Sequence, residues 1–226
     1  MLPDNATIVA YLDDLYVFCD KSEVCNVIEA AQADLQRICH IDTNLGKLAV
    51  WGKNYSDPPE GFIDRFGHAA WKCDKPAEQR GIKVLGAPFG TSEFLQGFYA
   101  NLVEEEARLL NLIPQLTSLQ ASWLLLYFCA VPRINHLLRT VPPDLIEPMA
   151  RAHDAAILTT FRSLFQVQAE DVWCLDVHKV SYQMVVSQAQ LPIRLAGCGL
   201  RNSVRTAPAA YWASWADALP GIVSRF

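Results

Sequence analysis

The chain has 226 residues, 51% of them hydrophobic and 19% charged, and a formal net charge of −5. That length buries a real core in one large domain or two small ones, which excludes a disordered chain, and the acidic balance argues against a free-standing nucleic-acid binder. The longest apolar run, Ala121 to Val131, ends at Pro132 and Arg133 far short of the roughly 20 residues that cross a bilayer, so it reads as a buried helix.

Thr7 to Leu12 and Leu15 to Cys19 have the β-branched and aromatic composition of strands, and Asp13-Asp14 between them is a two-residue connection of the kind that closes a hairpin. Asp20 to Glu23 has the spacing of a capping box. Val24, Val27, Ile28, Ala31, Leu35 and Ile38 recur at helical period, which predicts a helix from Asp20 to His40. A short strand is expected at Leu45 to Trp51, a Gly/Pro/Asp-rich loop from Lys53 to Gly67, and a last strand from Ile82 to Leu85 that runs into the breaker Gly86-Ala87-Pro88. Beyond residue 90 the pattern is helical. Ser92 caps a helix to about Ile113, with Leu95, Leu102, Leu109 and Leu110 inward, Glu104, Glu105 and Glu106 toward solvent, and Pro114 as its stop. Leu119 to Ala130, Pro132 to Arg139, Leu145 to Phe165, Leu175 to Ala189 and the Trp-rich Ala209 to Leu219 follow as helices. The expected fold class is α+β, with an αβ domain over 1–90, a helical region over 91–165 and a further helical segment over 166–226.

Charge divides unevenly along this plan. Residues 1–106 hold 9 Lys+Arg against 17 Asp+Glu, residues 107–205 hold 9 against 6, and residues 206–226 hold one of each. Acidic chemistry comes first and basic residues later, an order that suits metal binding followed by phosphate contact and that solvated faces alone also produce. The seven cysteines form an odd, irregularly spaced set without a C-x-x-C pair, which points to free thiols in a reducing compartment. Cys25, Cys39, His40 and Cys73 are the best zinc set that can be assembled, and they match no structural-zinc spacing. The opening MLPDNATIVAYLDD lacks the basic flank and small-residue cleavage site of a signal peptide, so the protein is expected inside the cell, cytoplasmic or nuclear, and not secreted.

Asp13 and Asp14 carry the chemistry that stands out. Two carboxylates on one hairpin tip repel each other and invite a cation, and a divalent ion with a preference for hard oxygen, such as Mg²⁺, answers the need. Asp is also a common turn residue, and a turn alone explains the pair.

With its neighbours the pair takes on a family likeness. Tyr11-Leu12-Asp13-Asp14 resembles the Y-x-D-D box of reverse transcriptases, motif C of the polymerase palm, and the chain after it resembles reverse transcriptases of the non-LTR retrotransposon and group II intron type. In that family a palm helix follows, here Asp20 to His40. Motif D, a short segment ending in lysine, is matched by Asn44-Leu45-Gly46-Lys47, with Leu48 where the family commonly has Thr. Motif E, a strand whose Leu-Gly pair grips the primer end, is matched by Val84-Leu85-Gly86. A helical thumb comes next in the family, as helices do here. Leu191 to Leu200 is similar to the P…GGLGL segment of non-LTR elements and departs from it at Ala196 and Cys198. The resemblance implies the C-terminal part of a palm over 1–90, a thumb-like region over 91–165 and a post-thumb segment over 166–226.

The activity implied is RNA-directed DNA synthesis by two-metal nucleotidyl transfer. One Mg²⁺ activates the primer 3′-hydroxyl and the other holds the triphosphate and pyrophosphate, with Mn²⁺ as a substitute. The resemblance makes Asp13 the main metal ligand and Asp14 the weaker one, and gives Lys47 the leaving pyrophosphate. Tyr11 would lie under the primer terminus, and Leu85-Gly86 would let the backbone approach the primer. Arg133, His136 and Arg139, about a helical turn apart, become phosphate contacts for an RNA template and DNA primer, with Arg151, Lys179, Arg194, Arg201 and Arg205 as further candidates. Each role has a plainer counterpart: a surface lysine, a buried strand aromatic, a strand-ending turn, a solvated helix face. Trp212 and Trp215 read as packing residues first and base-stacking residues second.

In the family the first catalytic aspartate, the fingers and the nucleotide-selecting motif precede the Y-x-D-D box, and ten residues precede Tyr11 here. The chain is therefore expected to be an N-terminally truncated part that does not polymerise alone, makes no membrane contact and self-associates through an exposed palm edge. Two other readings remain at this point. One is a nucleic-acid-binding remnant that uses only the helical half, and the other is a different metal-dependent enzyme on a palm-like domain, such as a nucleotidyl cyclase.

Overall fold

Alternating β-branched and aromatic residues at the start of the chain form an antiparallel hairpin of β1 (Thr7–Tyr11) and β2 (Asp14–Phe18), paired as Thr7↔Phe18, Val9↔Tyr16 and Tyr11↔Asp14. The computed structural model describes residues 6–165, 173–175, 178–180 and 182–224. The fold is α+β and divides into two units, one of Met1–Lys83 with Phe89–Gln96 and one of Val84–Pro88 with Gly97–Phe226.

The hairpin turn is Leu12-Asp13, one residue earlier than expected, and Asp14 is the first residue of β2. Leu12 takes φ 55°, the positive sign that the favoured hairpin turns require at their first central residue. Neither strand contains a buried residue, and Val9, Tyr11, Leu12, Leu15 and Phe18 are exposed. The sheet has two strands, so among the described residues its outer edges are unpaired.

After a 3-10 turn at Lys21–Glu23, α1 (Val24–Asp34) continues through one wider turn, Leu35–Cys39, and stops at His40 with φ 55°. The Asp20 side chain does not cap the turn, so the expected capping box is not formed. Val24, Cys25 and Val27 are buried while Ile38 is exposed. Only the first half of the predicted apolar stripe therefore reaches a core. The other half of that core comes from the Gly/Pro-rich loop: α2 (Phe62–Phe66) starts after Gly61, φ 73°, and sets the Phe62 ring edge-on to Trp71 at 5.3 Å between centroids. Ala70 and Cys73 complete the cluster.

Leu45 to Trp51 is not a strand. Leu45–Lys47 is one 3-10 turn in which Asn44 Oδ1 accepts from Gly46 N at 3.0 Å, and only Val50 bridges to Trp71. A local side-chain bond has replaced a ladder. β3 (Gly81–Val84) and β4 (Ala87–Gly90) pair across Leu85-Gly86, so the expected breaker Ala87-Pro88 is itself strand. A two-stranded sheet leaves one side of β4 open, where proline's missing donor costs nothing.

α3 (Ser92–Leu112) is capped by Thr91, whose Oγ1 accepts from Phe94 N at 3.3 Å, rather than by Ser92. α4 (Leu119–Leu125) starts at Ser118, which accepts from Ala121 N, and runs through a wider turn, Leu126–Ala130, into α5 (Asn135–Thr140) by way of the 3-10 turn Val131–Ile134. α6 (Pro143–Phe165) buries Ile157 and Phe161 against Leu110, Ile113, Leu126 and Ala130. The helix predicted from Leu175 begins only at Tyr182 as α7 (Tyr182–Gln190); before it, β5 (Trp173–Leu175) and β6 (His178–Val180) form an antiparallel hairpin. Residues 166–172 of the expected third segment and the Lys179 side chain lie outside the described residues. α8 (Ser203–Val223) is longer than predicted at both ends. Its start is fixed twice, by Asn202 Oδ1 accepting from Arg205 N at 2.8 Å and by the Asp154 carboxylate of α6 accepting from Ser203 N at 2.8 Å. Among the described residues no helix is long and apolar enough to cross a membrane.

Candidate functional site

The register of β1 and β2 sets Tyr11 and Asp14 opposite each other on one face, and strand alternation adds Tyr16 to that face. Tyr16 donates its hydroxyl to Asp14 Oδ2 at 3.0 Å. Asp13 occupies the turn, and both carboxylates are exposed. Tyr11 is 56% exposed, which removes its account as a buried strand aromatic. Leu12, between Tyr11 and the pair, is 89% exposed in a left-handed conformation that costs a leucine about 1–2 kcal/mol. The hairpin tip thus presents two solvated carboxylates beside two phenols.

That donor set suits a hard divalent ion in type. Mg²⁺ is commonly held by one or two carboxylates and keeps water and phosphate oxygens as its other ligands. Among the described residues no group of three His, Cys, Asp or Glu could hold a metal ion, so an ion at this tip takes its remaining ligands from water, substrate or another segment. The cysteine set does not assemble as a zinc site either. Cys25 and Cys73 are buried and Cys39 is exposed, and burial pushes the Cys25 and Cys73 thiols up, away from the thiolate a metal needs.

Compared with protein-family models, with curated proteins and with solved structures, the chain matches none.

Lys47 is exposed at the end of its 3-10 turn in the first unit. Leu85 and Gly86 form the tip of the β3–β4 hairpin with φ 47° and 88°, in the second unit. There a Cβ on Gly86 would come within 3.2 Å of His136 Nε2, so the Leu-Gly turn and one of the predicted phosphate contacts are neighbours. Arg133, His136 and Arg139 are exposed at intervals of three, between buried Ile134, Leu137 and Leu138, and so share one solvent side of the 131–140 segment. Arg201 Nη1 donates to Asn135 Oδ1 at 3.4 Å and adds a guanidinium to that side. Arg151 is paired with Glu147 on its own helix. Arg194 and Arg205 are exposed.

Sequence reasoning missed a buried polar group. Glu106, expected in solvent with Glu104 and Glu105, is buried against His153 of α6, with side chains 4% and 2% exposed. His153 Nδ1 lies 2.9 Å from Oε2 and 2.8 Å from Oε1; hydrogen-bond geometry selects Oε2 and leaves Oε1 without a hydrogen-bond partner among the described residues. Tyr99, two turns earlier on α3, also buries its hydroxyl without a partner among the described residues, and burial pushes its pKa up to about 12. The signal was present in the sequence. Leu95, Tyr99, Leu102, Glu106, Leu109 and Ile113 are spaced by alternate fours and threes, so the inward arc that predicts Leu102 and Leu109 also includes Glu106.

Proposed function

We propose that the chain supplies the Y-x-D-D hairpin and the thumb of a reverse transcriptase of the non-LTR retroelement type, an RNA-directed DNA polymerase. The observation that carries the reading is the tip of the β1–β2 hairpin, where Tyr11, Asp13 and Asp14 are presented together to solvent. Asp13 and Asp14 would hold Mg²⁺, or Mn²⁺ in its place. When bound, the metal activates the primer 3′-hydroxyl and stabilises charge on the triphosphate.

The remaining roles belong to side chains. The Tyr16 hydroxyl orients the Asp14 carboxylate on the Tyr11 face. Lys47 brings an ammonium to the departing pyrophosphate. The Leu85-Gly86 turn, lacking a side chain at Gly86, lets primer backbone approach beside His136. Arg133 and Arg139 hold duplex phosphates. Two carboxylates are fewer than a two-metal site uses, so a further acidic group joins them from another part of the polymerase, and an unpaired edge of the hairpin is where its strand would pair. By itself this chain binds and does not extend.

Three measurements test this. Mn²⁺ should broaden the Tyr11 and Tyr16 ring resonances, and Asp13→Asn with Asp14→Asn should abolish the effect. An RNA–DNA hybrid should bind with an affinity that falls steeply with salt and drops about tenfold in the Arg133→Ala, Arg139→Ala variant. Primer extension should stay at the level of an Asp13→Ala, Asp14→Ala control. Unaffected tyrosine rings, or no hybrid binding at low salt, would sink the polymerase reading; extension above the control would overturn the statement that the chain does not extend.

The exposed side formed by Arg133, His136, Arg139 and Arg201 favours a second reading, a nucleic-acid-binding protein without catalysis. Salt-sensitive hybrid binding with no Mn²⁺ response at the hairpin selects it.

A further inference from the structure

Helix α8 behaves as two helices in succession. The helix packs on α5 and α6 and buries Ser203 and Ala207 in its first half, whereas from Trp212 to Ser224 no residue is buried. In that outer half Trp212, Trp215, Leu219, Ile222 and Val223 are between 40% and 70% exposed. At about 100° of turn per residue they cluster around one direction, roughly 130° round the helix from Ser203 and Ala207. The side that continues the buried one carries only Ser214, Ala218 and Gly221. The apolar stripe is therefore aimed away from this chain's own core.

The outer half is also a poor helix in isolation. Pro220 and Gly221 together disfavour it by about 4 kcal/mol relative to alanine, and a helix of about 12 residues without tertiary contacts is marginal in water. It nevertheless runs on to Val223. A covering partner would supply what the sequence lacks.

We propose that this partner is a second copy of the chain, the two stripes packing against each other in an isologous dimer. Asp217 is the one charged residue between 206 and 224, and it points to the opposite side of the helix. A charged partner finds no counterpart on the stripe, and between 206 and 224 an anionic membrane finds no Lys or Arg of the kind that hold interfacial helices, Arg205 and Arg225 lying outside that stretch. A neutral apolar stripe is matched by its own two-fold copy. Scaled by their exposures, the five side chains offer about 500 Å² per chain, and two copies bury about 1,000 Å², the lower bound for a specific interface. The inference is independent of the polymerase reading.

Sedimentation velocity of the full chain from about 1 to 100 µM tests it, since an interface at that bound has a micromolar Kd. The wild type should pass from monomer to dimer, and Trp215→Glu with Leu219→Glu should weaken the dimer at least about tenfold while melting like the wild type at about 1 µM, where both are monomeric. Leu219→Ser serves as the milder variant if the double variant misfolds, and should weaken the dimer in the same direction. Val9→Lys with Phe18→Lys on the β1–β2 hairpin should leave it intact. A wild type that stays monomeric, a dimer that the hairpin variant dissociates and the α8 variants do not, or a monomer that instead floats with phosphatidylcholine/phosphatidylserine vesicles would each overturn the proposal.

Discussion

Replacing Glu106 by leucine isolates the buried pair between α3 and α6. Both side chains are almost fully buried, and His153 Nδ1 is within 3 Å of the Glu106 carboxylate, so among the described residues the partner is what compensates each group for lost water. Removing one member of a buried pair of this kind costs about 3–5 kcal/mol, because the survivor keeps its desolvation penalty and loses its attraction. A domain's total stability is about 5–15 kcal/mol, so Glu106→Leu should shift the urea midpoint strongly and leave the helical unit near its limit. Glu106→Gln, whose amide oxygen can still accept from Nδ1–H, should lose less. Glu106→Leu combined with His153→Leu should recover most of the loss, since two apolar groups of fitting size end the penalty on both sides. The assay is urea unfolding at pH 7 followed by tryptophan fluorescence and far-UV circular dichroism, read as a double-mutant cycle. A Glu106→Leu cost under about 1 kcal/mol, or a double variant as unstable as the two single losses added together, would refute the reasoning.

Tyr99→Phe should stabilise the chain by about 1 kcal/mol, because it removes a buried hydroxyl that has no partner among the described residues. The gain should widen between pH 10 and 12: the folded pKa of about 12 lies above the unfolded value near 10, so rising pH ionises the unfolded tyrosine first and draws the wild type toward unfolding. Unfolding midpoints that converge there would contradict it. Leu85→Asn, which puts a residue tolerant of positive φ before Gly86, should raise the melting free energy by about 1 kcal/mol, and a drop of similar size would show that Leu85 packing outweighs backbone strain. Iodoacetamide at pH 8, followed by peptide mass spectrometry, should modify exposed Cys39 and Cys129 well before Cys25 and Cys73; equal rates would mean that the Phe62–Trp71 core opens readily.

The elements most legible in the sequence are those whose pattern is local. The β1–β2 hairpin follows from its composition, and α3 and α6 from their apolar period. The turn was misplaced by one residue because Asp-Asp has turn chemistry, whereas the register also sets Tyr16 beside Asp14. Leu45 to Trp51 has strand composition but, among the described residues, no partner strand, and composition says nothing about partners. The last helix is expected over Ala209 to Leu219; Asn202 and Asp154 start it earlier, and Asp154 lies 49 residues away in sequence from Ser203. The same division holds for the site. Tyr11, Asp13 and Asp14 are neighbours in sequence and remain so in space, while the approach of Gly86 to His136 joins residues that only tertiary structure brings together.

A two-stranded hairpin is marginal in water by itself, and this one buries none of its residues to offset that. Where its closed form is one population among others, any ligand that needs Asp13 and Asp14 in that form binds with an apparent affinity reduced by the fraction of chains in which the turn is made. Whatever pairs with an edge of the hairpin would raise that fraction without touching either carboxylate. A strand added at that edge would then tune the strength of the proposed metal site as surely as a ligand.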